Sequence, residues 1–258
     1  MKKKGGILLK KVLKMNELTK IEKRYASLML ASADAPPGID HQSDLAWFAT
    51  VARESMRRTA YHEAGHFAAR LFTQLEVSHV VRISIIGNEK CIGYVRSERP
   101  YAESSLESYP PPLQRIQGRM LLLKTLAGLG AETILDQSEE WESISDYREC
   151  NYCDDANKEG TDIFRASRIA QIMAKFYMPA NRILKLADKW TLEMLRMPAV
   201  WNAVETVAGK LIKQGEIAHD ELYDLVDDSV YPNIKALPKW RRRLPFTREE
   251  KEKYIERV

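Results

Sequence analysis

A chain of 258 residues with 45% hydrophobic and 29% charged residues is long enough for one sizeable domain, and this composition excludes general disorder. Its three cysteines, Cys91, Cys150 and Cys153, are an odd number and too few for a disulfide framework, which points to a reducing, cytoplasmic setting. The net charge of +4 is uneven: residues 1–30 carry +7 and residues 235–258 carry +5, leaving −8 for the body, a balance that argues against a nucleic-acid-binding core.

In chain order, Met1-Lys2-Lys3-Lys4 opens as a secretory signal would, but Ile7-Leu8-Leu9 is cut short by Lys10, Lys11 and Lys14, so export is not expected. Asn16 to Ala31 has an amphipathic helical pattern, and Ala35-Pro36-Pro37-Gly38 reads as a linker or sharp turn. The ordered body is expected to begin near Ser43, a candidate N-cap, with Leu45, Phe48, Val51, Ala52 and Ser55 leading at helical spacing into a buried helix over Thr59 to Leu75. Alternation then sets in: Val81, Ile83 and Ile85, the turn pair Gly87-Asn88 and the run Ile92 to Val95 predict a hairpin. Ser97 to Pro112 is polar and Pro-rich and reads as a loop, and Leu113 to Leu135 as a second apolar helix. That helix contains the most apolar run of the chain, Met120 to Ala131, which is interrupted by Lys124 and far short of the roughly 20 residues of a membrane span. Gln137 to Gly160 has no apolar period and reads as a long excursion. Beyond it the pattern is helical: Thr161 caps Asp162 to Tyr177, Pro179 opens a helix through Met197, Pro198 opens one that stops at Gly215, and Asp220 caps a short last one. The expectation is a mainly α fold with a small β hairpin or sheet and a helical C-terminal half. It divides into a basic N-terminal extension and linker (1–42), a body (43–234) and a basic tail (235–258).

The first buried helix contains Tyr61-His62-Glu63-Ala64-Gly65-His66. Two histidines four residues apart stand one turn above each other on a helix, so both imidazoles reach one zinc ion, and the intervening Glu projects beside it. A helix this apolar does not bury His and Glu without a use for them, because unpaired polar groups are costly inside a core. A catalytic zinc needs a third protein ligand and an open position. The carboxylates in reach are Asp162, directly after a helix cap, its sequence neighbours Asp154 and Asp155, and Glu132, which also suits the role of acceptor for a His ring N–H. His79 and His219 stand alone, and Cys150-x-x-Cys153 is half of a zinc site with no second half in the sequence.

These residues carry a resemblance. The histidine motif, the strand Val80 to Ile86, the segment Leu126-Ala127-Gly128-Leu129-Gly130-Ala131-Glu132 and the segment Gly160-Thr161-Asp162-Ile163-Phe164-Arg165-Ala166 follow in the order found in the peptidase domain of the FtsH family of ATP-dependent zinc metalloproteases. The likeness runs from about Thr59 to Val226. It implies a zincin-like peptidase domain, with zinc held by His62, His66 and Asp162 and with Glu63 as catalytic base. The family's ATPase domain has no counterpart: the chain contains no Gly-x-x-x-x-Gly-Lys-Ser/Thr phosphate loop, and the 58 residues before Thr59 leave no room for one.

The function expected is zinc-dependent endopeptidase action on unfolded or flexible polypeptides. Zinc lowers the pKa of water, Glu63 takes its proton, and the strand Val80 to Ile86 pairs with the extended substrate through main-chain hydrogen bonds, giving weak sequence specificity. A separate ATPase or adaptor and a homo-oligomer are partners the resemblance admits. Neither nucleic acid nor a transmembrane segment is expected. The rival reading is a catalytically silent domain that binds a partner protein around a structural zinc, which leaves the base at Glu63 without a purpose.

Overall fold

Between Gln42 and Gln74 the sequence offers a helix nothing to stop it: no proline, one glycine, and alanine at many of the positions that turn inward. The computed structural model, which describes residues 12–13, 18–31, 42–74, 80–86, 93–97, 103–136 and 161–225, accordingly carries one 33-residue helix there. It starts one residue before the expected cap at Ser43 and runs unbroken through the histidine motif. Among the described residues the chain folds as α1 (Lys20–Ala31), α2 (Gln42–Gln74), β1 (Val80–Ser84), β2 (Tyr94–Ser97), a 3-10 helix (Glu103–Ser108), α3 (Pro111–Leu135), α4 (Asp162–Ala174), α5 (Ala180–Leu195), α6 (Pro198–Gln214), β3 (Glu216–Ala218) and α7 (His219–Leu225). The architecture is mostly helical with one small antiparallel sheet. No helix of the described residues is long and apolar enough to cross a membrane.

Helix α2 packs most extensively against α3 and α6. Its approach to α3 is set by Gly65: a Cβ there would lie 2.8 Å from Ala131 Cβ and closer still to the carbonyl oxygen of Ala127. The two backbones therefore touch, as two helices do only where small residues face each other. The larger core gathers Phe48, Phe67, Leu71 and Phe72 of α2 with Val204, Val207 and Leu211 of α6 and Ile83 of β1. A second core lies on the far face of α3, where Leu122 and Leu126 meet Ile169 and Met173 of α4 and Leu184 of α5.

The body reaches further toward the N-terminus than Ser43. Thr19 Oγ1 accepts from Glu22 N (3.2 Å) while Glu22 Oε2 accepts from Thr19 N (2.6 Å), a reciprocal cap that starts α1 four residues after Asn16. Tyr25, Ala26 and Met29 of α1 are buried in the main core, and the Tyr25 hydroxyl bonds Ser55 Oγ (2.9 Å) and Thr59 Oγ1 (2.8 Å) of α2. Residues 20–31 thus belong to the body rather than to an extension.

Strand β1 pairs antiparallel with β2 (Ile83↔Val95, Ser84↔Tyr94) and with β3 (Ile83↔Ile217, Ser84↔Glu216), giving the order β2-β1-β3. The strand expected to receive a substrate is therefore the middle one, with both edges filled. This corrects the sequence reading, in which β3 went unseen because Glu216-Ile217-Ala218 is too short to show a period. Gly215 makes the junction: it ends α6 with φ 82°, a left-handed cap that suits glycine, and its carbonyl accepts from Ile85 N (2.9 Å). The second strand begins at Tyr94, two residues later than Ile92, and the expected turn Gly87-Asn88 lies outside the described residues. Nor is 97–112 wholly a loop. The 3-10 helix brings Leu106 fully into the second core, Gln114 Nε2 donates to the Leu106 carbonyl (3.1 Å), and α3 already starts at Pro111. Helix α4 ends at Ala174, three residues before Tyr177. The excursion 137–160, with Cys150, Cys153, Asp154 and Asp155, and the tail 235–258 lie outside the described residues, as do Cys91 and His79.

Candidate metal centre

Two helices deliver three side-chain atoms to the same point. His62 and His66, one turn apart on α2, turn their Nε2 atoms toward each other at 3.0 Å. Asp162 opens α4, held there by Thr161, whose Oγ1 accepts from Phe164 N (3.2 Å), and its Oδ2 lies 3.1 Å from His62 Nε2 and 3.0 Å from His66 Nε2. All three side chains are half-buried. The triangle is close to that of three ligands bound to one ion, which at about 2.0–2.1 Å from a tetrahedral zinc stand about 3.3 Å apart.

What faces the middle of the triangle follows from the other ring nitrogens. His66 Nδ1 lies 2.6 Å from the carbonyl oxygen of Lys124, which can only accept, so Nδ1 carries the hydrogen. His62 Nδ1 lies 2.6 Å from Glu132 Oε1 and donates to that carboxylate. In the neutral rings both Nε2 atoms are then bare, and with the Asp162 oxygen three lone pairs converge. Such an arrangement is repulsive until a positive charge enters it, and a divalent cation held by His, His and carboxylate is the charge this donor set fits. Without an ion a proton takes that place: burial pushes His62 down, but its bonds to Asp162 and Glu132 outweigh this and hold it at about 10. Burial likewise pushes Asp162 up, yet the imidazoles of His66 and His62 bring it far below the usual carboxylate range.

Glu63, the residue after His62, is buried beside the two histidines and 6% exposed. Burial raises its pKa, and the two imidazoles only partly offset that rise. Gly93, the residue before β2, lies directly over it: a Cβ there would come within 2.5 Å of Glu63 Oε1 and 2.7 Å of Thr59 Cγ2. The end of β2 thus covers the carboxylate with bare backbone.

Helix α3 runs antiparallel to α2 and supports the site turn by turn. Lys124 stands opposite His66 through its carbonyl, Gly128 opposite His62, and Glu132 opposite Arg58, which approaches Glu132 Oε2 at 3.9 Å and is bonded to Asp136. Gly128 is required there, since a Cβ would lie 2.5 Å from His62 Nε2. Of the carboxylates named from sequence, Asp162 lies in the triangle and Glu132 behind it as an acceptor, while Asp154 and Asp155 are outside the described residues. His219 is structural: its Nδ1 donates to the Val80 carbonyl (2.7 Å), tying α7 to β1. Sequence reasoning missed Gly93, Gly128 and the Lys124 carbonyl. A glycine inside a helical pattern signals a close approach and would have flagged Gly128, whereas a main-chain carbonyl leaves no mark on a sequence. Comparison with known proteins finds no family model and no curated protein that matches the chain.

Proposed function

We propose that the chain is a zinc-dependent endopeptidase, with His62, His66 and Asp162 holding the metal and Glu63 acting as the base, in the manner of the FtsH peptidase domain that its motifs resemble. The observation that carries this reading is the convergence of two bare imidazole nitrogens and a carboxylate oxygen next to a buried, uncommitted carboxylate on the same helix. A zinc ion in that position supplies a Lewis acid that lowers the pKa of water and polarises a carbonyl. The protein's own groups do the rest. Glu132 and the Lys124 carbonyl fix both imidazoles in the tautomer that binds. Glu63, its pKa raised by burial toward the range where a general base works best, accepts the proton of the attacking water and returns it to the departing amine nitrogen. An extended substrate would lie along the outer edge of β2, which no described strand covers and whose preceding residue, Gly93, sits over Glu63.

Two measurements test this together. Metal analysis of the folded chain is expected to give about one zinc per chain, and digestion of casein is expected to depend on that zinc and stop with a chelator. Folded protein without zinc would overturn the metal assignment. Bound zinc without digestion of any unfolded protein or peptide would favour the silent, partner-binding alternative.

A further inference from the structure

Helix α1 meets the turn of α2 that precedes the histidine motif through one hydroxyl. Tyr25 is 1% exposed, and its Oη lies 2.9 Å from Ser55 Oγ and 2.8 Å from Thr59 Oγ1, while Arg53 Nε donates to Glu22 Oε1 (2.8 Å) and ties α1 to α2 a turn earlier. The direction of the hydroxyl bonds follows from counting hydrogens. Thr59 donates its single hydroxyl hydrogen to the Ser55 carbonyl (2.9 Å), which can only accept. Thr59 Oγ1 therefore accepts from the Tyr25 hydroxyl, and the Tyr25 oxygen in turn accepts from Ser55 Oγ.

The consequence lies on the other branch of Thr59. A helical threonine divides between two χ1 rotamers, which turn different branches, hydroxyl or methyl, toward a given neighbour. With Oγ1 drawn to Ser55 and Tyr25, the methyl is the branch that faces Gly93: a Cβ on Gly93 would lie 2.7 Å from Thr59 Cγ2 and 2.5 Å from Glu63 Oε1. Glu63 follows Thr59 by four residues on α2, one turn on and on the same face, so the methyl group and the carboxylate share the space beneath Gly93. In the other rotamer a hydroxyl would stand there. A hydroxyl one turn from a buried carboxylate donates to it, and that bond would draw the Glu63 oxygen toward Thr59 and occupy a lone pair that the water proton needs. We propose that Tyr25 is a positioning residue for Glu63: by holding the Thr59 hydroxyl it keeps a methyl group rather than a donor beside the carboxylate, and leaves Glu63 to receive the proton of the attacking water. What Glu63 does there rests on the peptidase reading, whereas the hold of Tyr25 on Thr59 belongs to the fold and is measured without it.

The test uses the zinc-loaded full chain and Tyr25→Phe, which removes only the hydroxyl and leaves the ring in the core. Each is made with threonine in place and again with Thr59→Val, a side chain that presents a methyl group in either orientation and has nothing to donate. Peptide cleavage is followed by kcat and KM, zinc content and Tm are recorded alongside, and the χ1 angle of Thr59 is read from three-bond couplings to its labelled methyl group. Tyr25→Phe should populate both Thr59 rotamers and lower kcat by roughly three- to tenfold, with KM and zinc content unchanged. In the Thr59→Val background the same Tyr25→Phe change should leave kcat within about twofold. A loss that comes only from the packing of α1 gives an equal kcat deficit in both backgrounds. That result, an unchanged kcat, or a Thr59 rotamer indifferent to Tyr25→Phe would overturn the positioning role and leave the peptidase reading standing. A wild-type chain that cleaves nothing, with Thr59 turning in Tyr25→Phe, does the reverse: the peptidase reading falls, and the hold of Tyr25 on the group beside Glu63 stands.

Discussion

Glu63 and Asp162 are both carboxylates that feel the charge of the same two imidazoles, yet their surroundings differ and suit them to opposite tasks on the proposed reading. Asp162 faces both Nε2 atoms at 3.0–3.1 Å and is held ionised, as a ligand must be, whereas Glu63 is buried without such a bond and becomes the stronger base. Glu63→Gln is therefore expected to keep zinc and fold while lowering turnover by roughly 10²- to 10⁴-fold, because an amide cannot take the proton. Asp162→Ala should lose the metal, and Glu132→Ala, which frees the His62 ring, should weaken zinc binding about 10- to 100-fold. Zinc titration of each variant against wild type checks this ranking, and metal retained by Asp162→Ala but lost by Glu132→Ala would reverse the two roles. A residue far from the site offers a different test. Asp188 of α5 is 7% exposed, its Oδ1 has no hydrogen-bond partner among the described residues, and burial raises its pKa to about 7. With the folded value above the unfolded one, the cost of ionising Asp188 is absent below about pH 4, grows as pH rises toward 7 and is full above that. Asp188→Asn should accordingly stabilise the protein by on the order of 1–3 kcal/mol at pH 8 and much less at pH 5, read from thermal melts at the two pH values.

At the scale of elements, the site depends on how closely α2 and α3 approach. Gly65 lets the backbones touch, and Gly128 then leaves room for the His62 ring. The two glycines make separable predictions. Gly65→Ala puts a methyl group into the Ala127 backbone, which cannot swing aside, so a loss of about 1–3 kcal/mol and a lower Tm are expected. Gly128→Ala meets a side chain instead, so the helices should keep their stability more nearly while His62 is displaced and zinc affinity falls. Melting curves and metal titration of both variants distinguish the effects, and equal loss of stability in the two would show that Gly128 serves packing rather than the metal centre. The sheet has a comparable division of labour: β1 is locked between two partners, so among the described strands only β2 and β3 present an edge.

For the whole molecule, α1 packs on α2, the second core gathers around α4 and α5, and the candidate metal centre stands where α2, α3 and α4 meet, its three side chains half-buried. On the proposed reading a peptide bond would enter only in extended form, and the backbone of a stable domain is already bonded within itself. The 258 residues hold no phosphate loop. Digestion by this chain is therefore expected to be unaffected by ATP, fast for casein and slow for a stably folded reporter, at a rate that follows how often the reporter opens. Parallel digestions with and without ATP check it; nucleotide-stimulated loss of the folded reporter would reveal a nucleotide site.

The parts of this protein legible in its sequence are those decided over a few residues. The His62-Glu63-x-x-His66 spacing, the Thr161 cap before Asp162, the Pro179 and Pro198 helix starts and the Gly215 stop each act within one or two helical turns, and the structure places the corresponding helices within a few residues of where they were expected. Even Glu132 was legible as a carboxylate suited to a His ring N–H, though its choice of His62 was not. Tertiary structure decided the rest. Glu216–Ala218 is a strand only because β1 offers it an edge, and Leu106 is core only because α4 covers it. The packing of α1 was equally hidden: Pro36-Pro37-Gly38 reads as a linker in sequence, yet Tyr25 of α1 bonds Ser55 and Thr59 of α2. Above all, a charge or a carbonyl gains its role from what faces it. Only the antiparallel contact of α2 and α3 sets the Lys124 oxygen on His66, because non-local proximity depends on packing and not on spacing along the chain.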